Sequence, residues 1–435
     1  MRIAFYEDGA AADFSPLSIL RPVFELVCGQ FSLRERIIRT RAVSDWGAFI
    51  RPHLAEVFRE EEPEAHVNDE AWLTERPTLF INGRWIPGAR PIREIRPDEA
   101  GVIDDTVVYL TVEPLEAPLL ADHHRDAAIA RLARTKRLVP ADGKLLSRPW
   151  DLVEHNSVQL GIDFHERLAA SSAPLSPAHA TLPAILGPPQ DVVIDPAAVV
   201  DPFVVLDARK GPIWIEAGAH IGSYTQLEGP CYVGQRSRLL RAHVREGTTI
   251  GPECRVGGEV ECSILHGYVN KYHLGFLGHS YVCPWVNIGA QSTNSDLRND
   301  YASVRVPIDG TMVDSGKMKV GCFYGDHTKI AIGSLFNTGS AIGVMCQILP
   351  SGELLPKYVP SFARVGHGRL QEGDDIEKSL RVIGSGMGRR NCELTSAQER
   401  LLRNLHASTR SQREAAIRRD QERHTGDWQS IAPRS

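Results

Sequence analysis

The sequence predicts an α/β domain, then a parallel β-solenoid of hexapeptide repeats, then a C-terminal helix. Three observations predict it. From about Ile194 to about Ile348, apolar residues recur every six positions: Ile215, Ile221, Leu227, Val233 and Leu239 form one series, and after a one-residue slip Val244, Ile250, Val256 and Cys262 continue it. Val282 with Ile288, and Ile342 with Ile348, are further pairs. Glycine directly follows an aliphatic residue at Gly222, Gly234, Gly251, Gly257, Gly289, Gly333 and Gly343, as expected of corners that need positive φ or have no room for a side chain. The first 168 residues instead alternate short apolar runs with helical segments. A helix repeats every 3.6 residues and a strand every two, so a sustained period of six means a short strand plus a corner, stacked coil on coil. A sandwich or barrel with glycine turns would space its apolar residues irregularly.

At 435 residues the chain exceeds one core, and two or three domains are expected. Apolar residues make up 42% and charged residues 24%, an ordinary globular composition, and a net charge of -5 gives no reason to expect a nucleic acid or an anionic membrane as partner. The N-terminal stretch has acids within its first eight residues and no apolar core of signal-peptide type, and no stretch is apolar enough to insert in a membrane. Eight scattered cysteines without a CxxC pair read as free thiols, with Cys231, Cys254, Cys262, Cys322 and Cys346 as small buried hydrophobes in the repeats. These features point to the cytoplasm.

In chain order, Arg2 to Tyr6 reads as a strand, and Ser32 with Glu35 as a capping box for a helix from Leu33 to Ala42. Thr78 to Ile81 and Val107 to Val112 are apolar, β-branched strands, the first running into an Asn82-Gly83 turn. Asp122 to Thr135 is a helix, and Trp150 to Asn156 opens another. Residues 169–191 hold five prolines and read as a linker; the solenoid occupies 192–366. A polar tail, 367–435, carries a second capping box at Thr395 and Gln398, opening a helix through Leu401, Leu402 and Leu405 to about His424. That helix is expected to close the solenoid's open end, which otherwise exposes unpaired strand edges.

Within the solenoid, Lys271 to Gly278 (KYHLGFLG) and Trp285 to Ala290 (WVNIGA) resemble the acetyltransferase half of the GlmU family, bifunctional enzymes that make UDP-N-acetylglucosamine. The family motif reads HLxYLGD, then NVNIGAGT; His273-Leu274, Leu277-Gly278 and Val286 to Ala290 match at the same internal spacing, and Gly325 to Ile330 resembles the next coil. The resemblance spans about 100 residues and implies a left-handed parallel β-helix, a homotrimer, and acetyl-CoA or another acyl-CoA as donor. It implies His273 as the general base that deprotonates a sugar amine, a task suited to histidine near neutral pH. It also implies Arg245, Asn287, Ala290 and Lys271 as acceptor-binding residues. Phe276 stands in place of the family's tyrosine, and Cys262 and Ser263 stand near the place of its lysine, for which Lys271 is the substitute. A long polar insertion, Thr293 to Gly316, interrupts the hexads and either lines the binding cleft or is a solvated excursion.

The N-terminal domain is similar, more distantly, to the Rossmann-like sugar nucleotidyltransferases and to a divergent GlmU-related group of them, through Leu17, Arg21-Pro22, Gly29, Leu33 to Arg36 and Phe80 to Gly83. Asp8, Arg21, Asn82 and Arg84 are the nucleotide-site candidates. The family's glycine-rich phosphate loop is replaced by Asp8-Gly-Ala-Ala-Ala-Asp13, and its Mg²⁺-holding aspartate by the turn Asn82-Gly83-Arg84. Either Arg84 substitutes for the metal's charge or nucleotidyl transfer is weak or absent; the metal site is unknown and a need for Mg²⁺ stays open. The whole reads as a transferase of nucleotide-sugar and cell-envelope biosynthesis, whose β-helix transfers an acyl group to an aminosugar phosphate. Two alternatives remain: a nucleotidyltransferase whose β-helix only oligomerises, and a silent scaffold that binds a nucleotide sugar.

Overall fold

The strand Ile3–Tyr6 is buried along its whole length because it runs between two parallel neighbours, Trp46–Phe49 and Thr78–Asn82. A strand covered on both faces reads as a continuous apolar run, and IAFY is one. The computed structural model describes residues 2–39, 43–88, 94–120, 125–170 and 183–431, with 423–431 as backbone alone. The chain divides into two compact units: Met1–Phe14, Ser18–Val27 and Phe31–Asp151 form one, and Ser15–Leu17, Cys28–Gln30 and Leu152–Ser435 the other.

The first unit is a Rossmann-like α/β domain. Its seven-stranded sheet has four neighbouring parallel strands, with His66–Val67 beyond Trp46–Phe49. Thr106–Val112 then joins antiparallel to Thr78–Asn82, and Glu99–Ile103 and Arg137–Pro140 complete the sheet. The expected capping box is present: Ser32 and Glu35 exchange bonds of 3.0 and 3.1 Å at the start of the helix Leu33–Arg39. The expected extension to Ala42 falls outside the described residues. The later helix starts at Arg125 and ends at Ala133; its expected first residues, from Asp122 to 124, also lie outside them.

The second unit is a parallel β-helix with three faces. One is a nine-strand ladder from Val192–Ile194 to Tyr358–Val359. The other two share the strands Arg238–Val244 and Arg255–Glu261, which bend at an irregularity between Leu240 and Ala242 and so contribute one half to each face. The hexad residues point inward: Ile215, Ile221, Leu227, Val233, Leu239, Val244, Ile250 and Val256 all belong to one buried core column. Two positions differ from the expectation. At Gly257-Gly258 the chain turns between faces and slips the hexad, so Val260 takes the inward position and Cys262 falls on a half-buried corner. Ile332 is 69% exposed, and Ile330 is the buried residue of that coil. The corner glycines are explained more by space than by φ: a Cβ on Gly251 would lie 2.0 Å from the His266 carbonyl oxygen of the next coil.

The helix Pro149–Ala170 belongs to the β-helix unit from Leu152 on, although the sequence places it wholly in the N-terminal domain. Its buried face explains this. Asn156 accepts from the Gly29 amide (2.6 Å) and donates to the Gly247 carbonyl (2.8 Å) and Thr249 Oγ1 (3.0 Å), while Phe164 meets Trp214 edge-on at 5.7 Å. Of the stretch read as linker, residues 171–182 lie outside the described residues, and Ala184–Leu186 already pairs with Val205–Asp207 as the first strand of the solenoid. The polar insertion forms an antiparallel hairpin, Arg305–Ile308 with Thr311–Asp314, and the ladder passes over it from Asn287 directly to Lys329. All eight cysteines are free thiols. Among the described residues no helix is long and apolar enough to cross a membrane.

The tail holds three helices rather than one. Ile376–Gly388 was not expected; Ser396–Ser408 opens with the expected Thr395–Gln398 box; and Arg410–Ile431 follows after a break at Thr409. The last helix closes the end of the solenoid: Ala416 joins its core, Asp420 accepts from the Leu370 amide (3.0 Å), and the buried Arg413 binds Glu372 (2.6 Å). Glu372 is half exposed, which weakens the ion pair, but Arg413 also donates to the His406 carbonyl and to Thr409. Arg413→Ala is expected to lower stability by about 1–3 kcal/mol through these lost bonds, read as a lower thermal midpoint; an unchanged midpoint would show that the cap does not hold the end closed.

Candidate functional site

Parallel stacking puts residues one coil apart on top of each other. On one face Arg238, Arg255, Asn270, Asn287 and Lys329 occupy successive rungs. At the corner entering this face three rings stack: Tyr268 on Trp285 at 4.3 Å, and Trp285 parallel to His327 at 6.2 Å. These three residues have left-handed φ, which turns the chain at each corner and repeats the same side-chain direction in successive coils. The helix Ile376–Gly388 and the residues after it cover this face, contributing Val382, Ser385, Arg389 and Arg390. Together they enclose a cleft of about 740 Å³, within the size range of small-molecule sites.

The cleft is cationic. Burial, then the nearby Arg390, hold the Arg255 guanidinium below its ordinary value against the pull of Glu253, with Arg238 adding a smaller push in the same direction. Such crowding of like charge is relieved by an anion. Burial pushes Lys329 down to about 8 while its Nζ donates to the Trp285 carbonyl (2.8 Å), which fixes the stacked ring. Guanidinium groups beside stacked aromatic faces suit a ligand with phosphates at one end and a planar ring at the other.

In the first unit three of the four nucleotide-site candidates bind one another. Both oxygens of Asp8 are engaged by Arg84 (Nε–Oδ1 2.8 Å, Nη2–Oδ2 2.6 Å), and Asn82 adds a bond of 2.8 Å to Oδ2. The stretch after the first strand is a 3-10 helix, Gly9–Phe14, and its Gly9 amide donates to the Asp126 carboxylate (2.8 Å). Glu7 is held by Arg51 and Asp13 by Arg148. Arg21 lies half-buried in this unit, and its carbonyl accepts from Arg51 (3.0 Å). The charge of Arg84 is thus balanced by Asp8, whose two oxygens are both taken by protein donors.

Residues 3–171 match the family described as sugar nucleotidyl transferase. The chain is 33% identical over 144 residues to a bifunctional sugar-1-phosphate nucleotidylyltransferase/acetyltransferase of Sulfurisphaera tokodaii, covering 32% of this chain and 36% of that one. It is 27% identical over 173 residues to the bifunctional protein GlmU of Jannaschia sp., covering 38% and 34%. Over part of its length this chain is similar to bifunctional proteins of the GlmU kind. The matched stretches span about a third of the length of those two relatives.

The GlmU-like residues of the β-helix do not gather at one point within a single chain. Asn287 lines the cationic cleft and accepts from Asn270 (2.6 Å). His273 is exposed, on the corner leaving that face, and Ala290 is half-buried on the corresponding corner of the next coil. Lys271 points inward, 2% exposed, and its Nζ donates to the carbonyls of Gly257 and His273 (2.7 Å each), so it positions the His273 backbone rather than meeting a ligand. Gly275 lets this turn lie against the next coil, since a Cβ there would come 2.1 Å from the Ser292 carbonyl oxygen. Arg245 lies past the following face and binds Glu261 (2.5 Å), with Glu259 at 3.6 Å, so its charge is already opposed.

The cleft arginines, Tyr268 and Trp285 were not singled out in the sequence. For Arg238 with Arg255 and Tyr268 with Trp285 the signal was one-coil spacing, the interval of 17 residues that also separates Asn270 from Asn287; Arg389 and Arg390, after the helix Ile376–Gly388, left none. Burial pushes Lys271 down to about 8 from its ordinary 10.5. The unfolded chain then binds more protons between those two values, so this lysine's penalty is full below about pH 8 and is relieved as pH rises toward 10.5. Wild type should therefore gain stability relative to Lys271→Met across that window in denaturant titrations; a constant difference would show the amine to be solvated.

Proposed function

We propose that this chain is a transferase of nucleotide-sugar metabolism whose β-helix moves an acyl group from an acyl-CoA to an aminosugar phosphate. The single observation that carries this reading is the cationic cleft, where Arg238, Arg255, Arg389 and Arg390 would meet the donor's phosphates and the Tyr268–Trp285 corner its adenine ring. The GlmU-like motif gives the chemistry: His273 takes the proton of the acceptor amine as its nitrogen attacks the thioester carbonyl, and the carrier thiolate leaves. Asn287 helps to place a substrate in the cleft, and Lys271 holds the His273 turn.

His273→Ala should cut acyl transfer ~10²–10⁴-fold with little change in KM, as for a base acting in the transition state. Arg389→Ala and Arg390→Ala should instead raise KM for acyl-CoA. The assay is CoA release from acetyl-CoA with a panel of aminosugar phosphates; no release by wild type with any of them would overturn the reading. Because both oxygens of Asp8 are engaged by Arg84 and Asn82, the first unit is read as binding a nucleotide sugar, with no step routed through Mg²⁺. Magnesium-dependent release of pyrophosphate from UTP and a sugar 1-phosphate, in the same assay series, would reverse that.

The same reading makes the protein a cytoplasmic homotrimer, in which Leu274 and Ile332, exposed near His273, are covered by a neighbouring copy. In a trimer, Arg245 of one chain and His273 of another can share a cleft that one chain does not form. Light scattering at micromolar concentration should give three chain masses, and a monomer mass would rule the assembly out.

A further inference from the structure

The corner past the second face carries a ladder that neither the cleft nor His273 uses. Cys262 and His279 occupy equivalent positions in successive coils, both with left-handed φ (42° and 47°), and Asp296 follows 17 residues after His279 at the root of the insertion. His279 Nδ1 meets Asp296 Oδ2 at 2.7 Å, with both side chains less than a fifth exposed. That bond leaves Nε2 to exchange a proton with another group. A ring nitrogen of His279, Cys262 Sγ and a Glu261 oxygen lie within 4.8 Å of one another.

Such a trio could suit a metal, but Glu261 is held by Arg245 (2.5 Å) and Lys319 (3.3 Å), so an incoming cation would displace two others. Around the thiol, Glu246 is paired with Lys210 (3.1 Å), and its carbonyl is the present acceptor of the Cys262 S–H (3.3 Å). Glu259 faces Arg245 from the neighbouring rung. Against the pull of burial, the bonds to Asp296 and Cys262 hold the His279 imidazolium up to about 9. Four of the other cysteines are fully enclosed, and burial pushes the thiols of Cys231, Cys254, Cys322 and Cys346 up to about 12, whereas Cys262 is half-buried.

We propose that Cys262, His279 and Asp296 form a nucleophilic thiol site that accepts an acyl group from a thioester. The nucleophilicity rests on the geometry alone; the choice of a thioester as electrophile rests on the acyl-transfer reading above. The Cys262 thiolate attacks the thioester carbonyl, a new C–S bond forms, the bond to the carrier sulfur breaks, and the leaving thiolate takes the Nε2 proton of His279. The products are an acylated Cys262, neutral His279 and the free carrier thiol. On this route, an alternative to direct attack with His273 as base, an acceptor amine then reverses the steps: its nitrogen attacks, His279 takes its proton, and the Cys262 thiolate leaves. Asp296 is a positioning residue, holding the ring by Nδ1 and stabilising its cation.

The test begins with iodoacetamide, which needs no acyl donor. Mass mapping should find Cys262 alkylated first among the eight thiols, with a rate that stays high down to about pH 6. Asp296→Asn and His279→Ala should each slow it on the order of 10-fold there. Asp296→Asn is nearly isosteric and serves if His279→Ala fails to fold, as judged by circular dichroism. With acetyl-CoA, intact mass should show one added acetyl group in wild type and none in Cys262→Ser. An ordinary thiol pH profile that Asp296→Asn leaves unchanged would overturn the triad, as would equimolar Zn²⁺ that fully protects Cys262, which would make the corner a metal site. If Cys262→Ser retains full acyl transfer, the thioester role falls and the reading centred on His273 stands. If Cys262 is fast toward iodoacetamide yet takes no acyl group from any acyl-CoA, the thioester assignment is overturned.

Discussion

Each coil of the β-helix finds its backbone partners almost entirely in the coils before and after it. The ladder from Arg238 through Arg255, Asn270 and Asn287 to Lys329 is one column of that pairing. Buried amides and carbonyls must be paired, so the coils are locked in register, and a side chain at a given corner has its counterpart at the same corner of the next coil. The cleft and the Cys262 corner both follow from this rule. The ladder also leaves one problem, its final unpaired edge, which is met by the antiparallel return Arg369–Glu372 and the helix bound to it through Arg413 and Asp420.

The register fixes positions but not electrostatics, and the two corners use charge in opposite ways. In the cleft, Arg238, Arg255, Arg389 and Arg390 crowd around one carboxylate, Glu253, which pairs with Arg255 at 3.4 Å, and an anionic ligand stabilises the excess of positive charge. At Arg245, Glu261 and Lys319 the charges are mutually satisfied, and the thiol and imidazole lie at the edge of a closed network. The Asp8–Arg84 pair in the first unit is of the second kind. A bidentate arginine–carboxylate pair with both partners largely buried has strong mutual binding and little left for a ligand.

The β-helix was legible in the sequence because its core is one column of aliphatic residues at fixed spacing. That pattern failed at Cys262, where two adjacent glycines shift the frame and an apparent core residue becomes a corner thiol. The helix Ile376–Gly388 was not legible: its sequence, IEKSLRVIGSGMG, carries three glycines that lower helix propensity, and its start rests on Asp375 accepting from the Glu377 and Lys378 amides. The insertion's hairpin did leave a signal, Asp309-Gly310 with both φ positive, the preferred tight turn between strands. Of the site, the motif around His273 and the cleft residue Asn287 could be read locally. The arginines of the cleft could not, since they come from separate coils and a distant helix and meet only once the register is known.

The pairing of Asn287 with Lys329 carries one more consequence. Because the ladder closes across the excursion, the coil above does not register how long the excursion is. Doubling the length of a flexible loop costs only about 0.6 kcal/mol, so the hairpin around Asp309 is a place where new sequence can be accommodated without rewriting the solenoid. Asp296 and Lys319, at the two roots, are the exceptions: they tie the excursion to His279 and Glu261. The region thus combines a fixed base with a free tip, an arrangement in which the reach of the insertion can diversify while the chemistry at its foot stays in place.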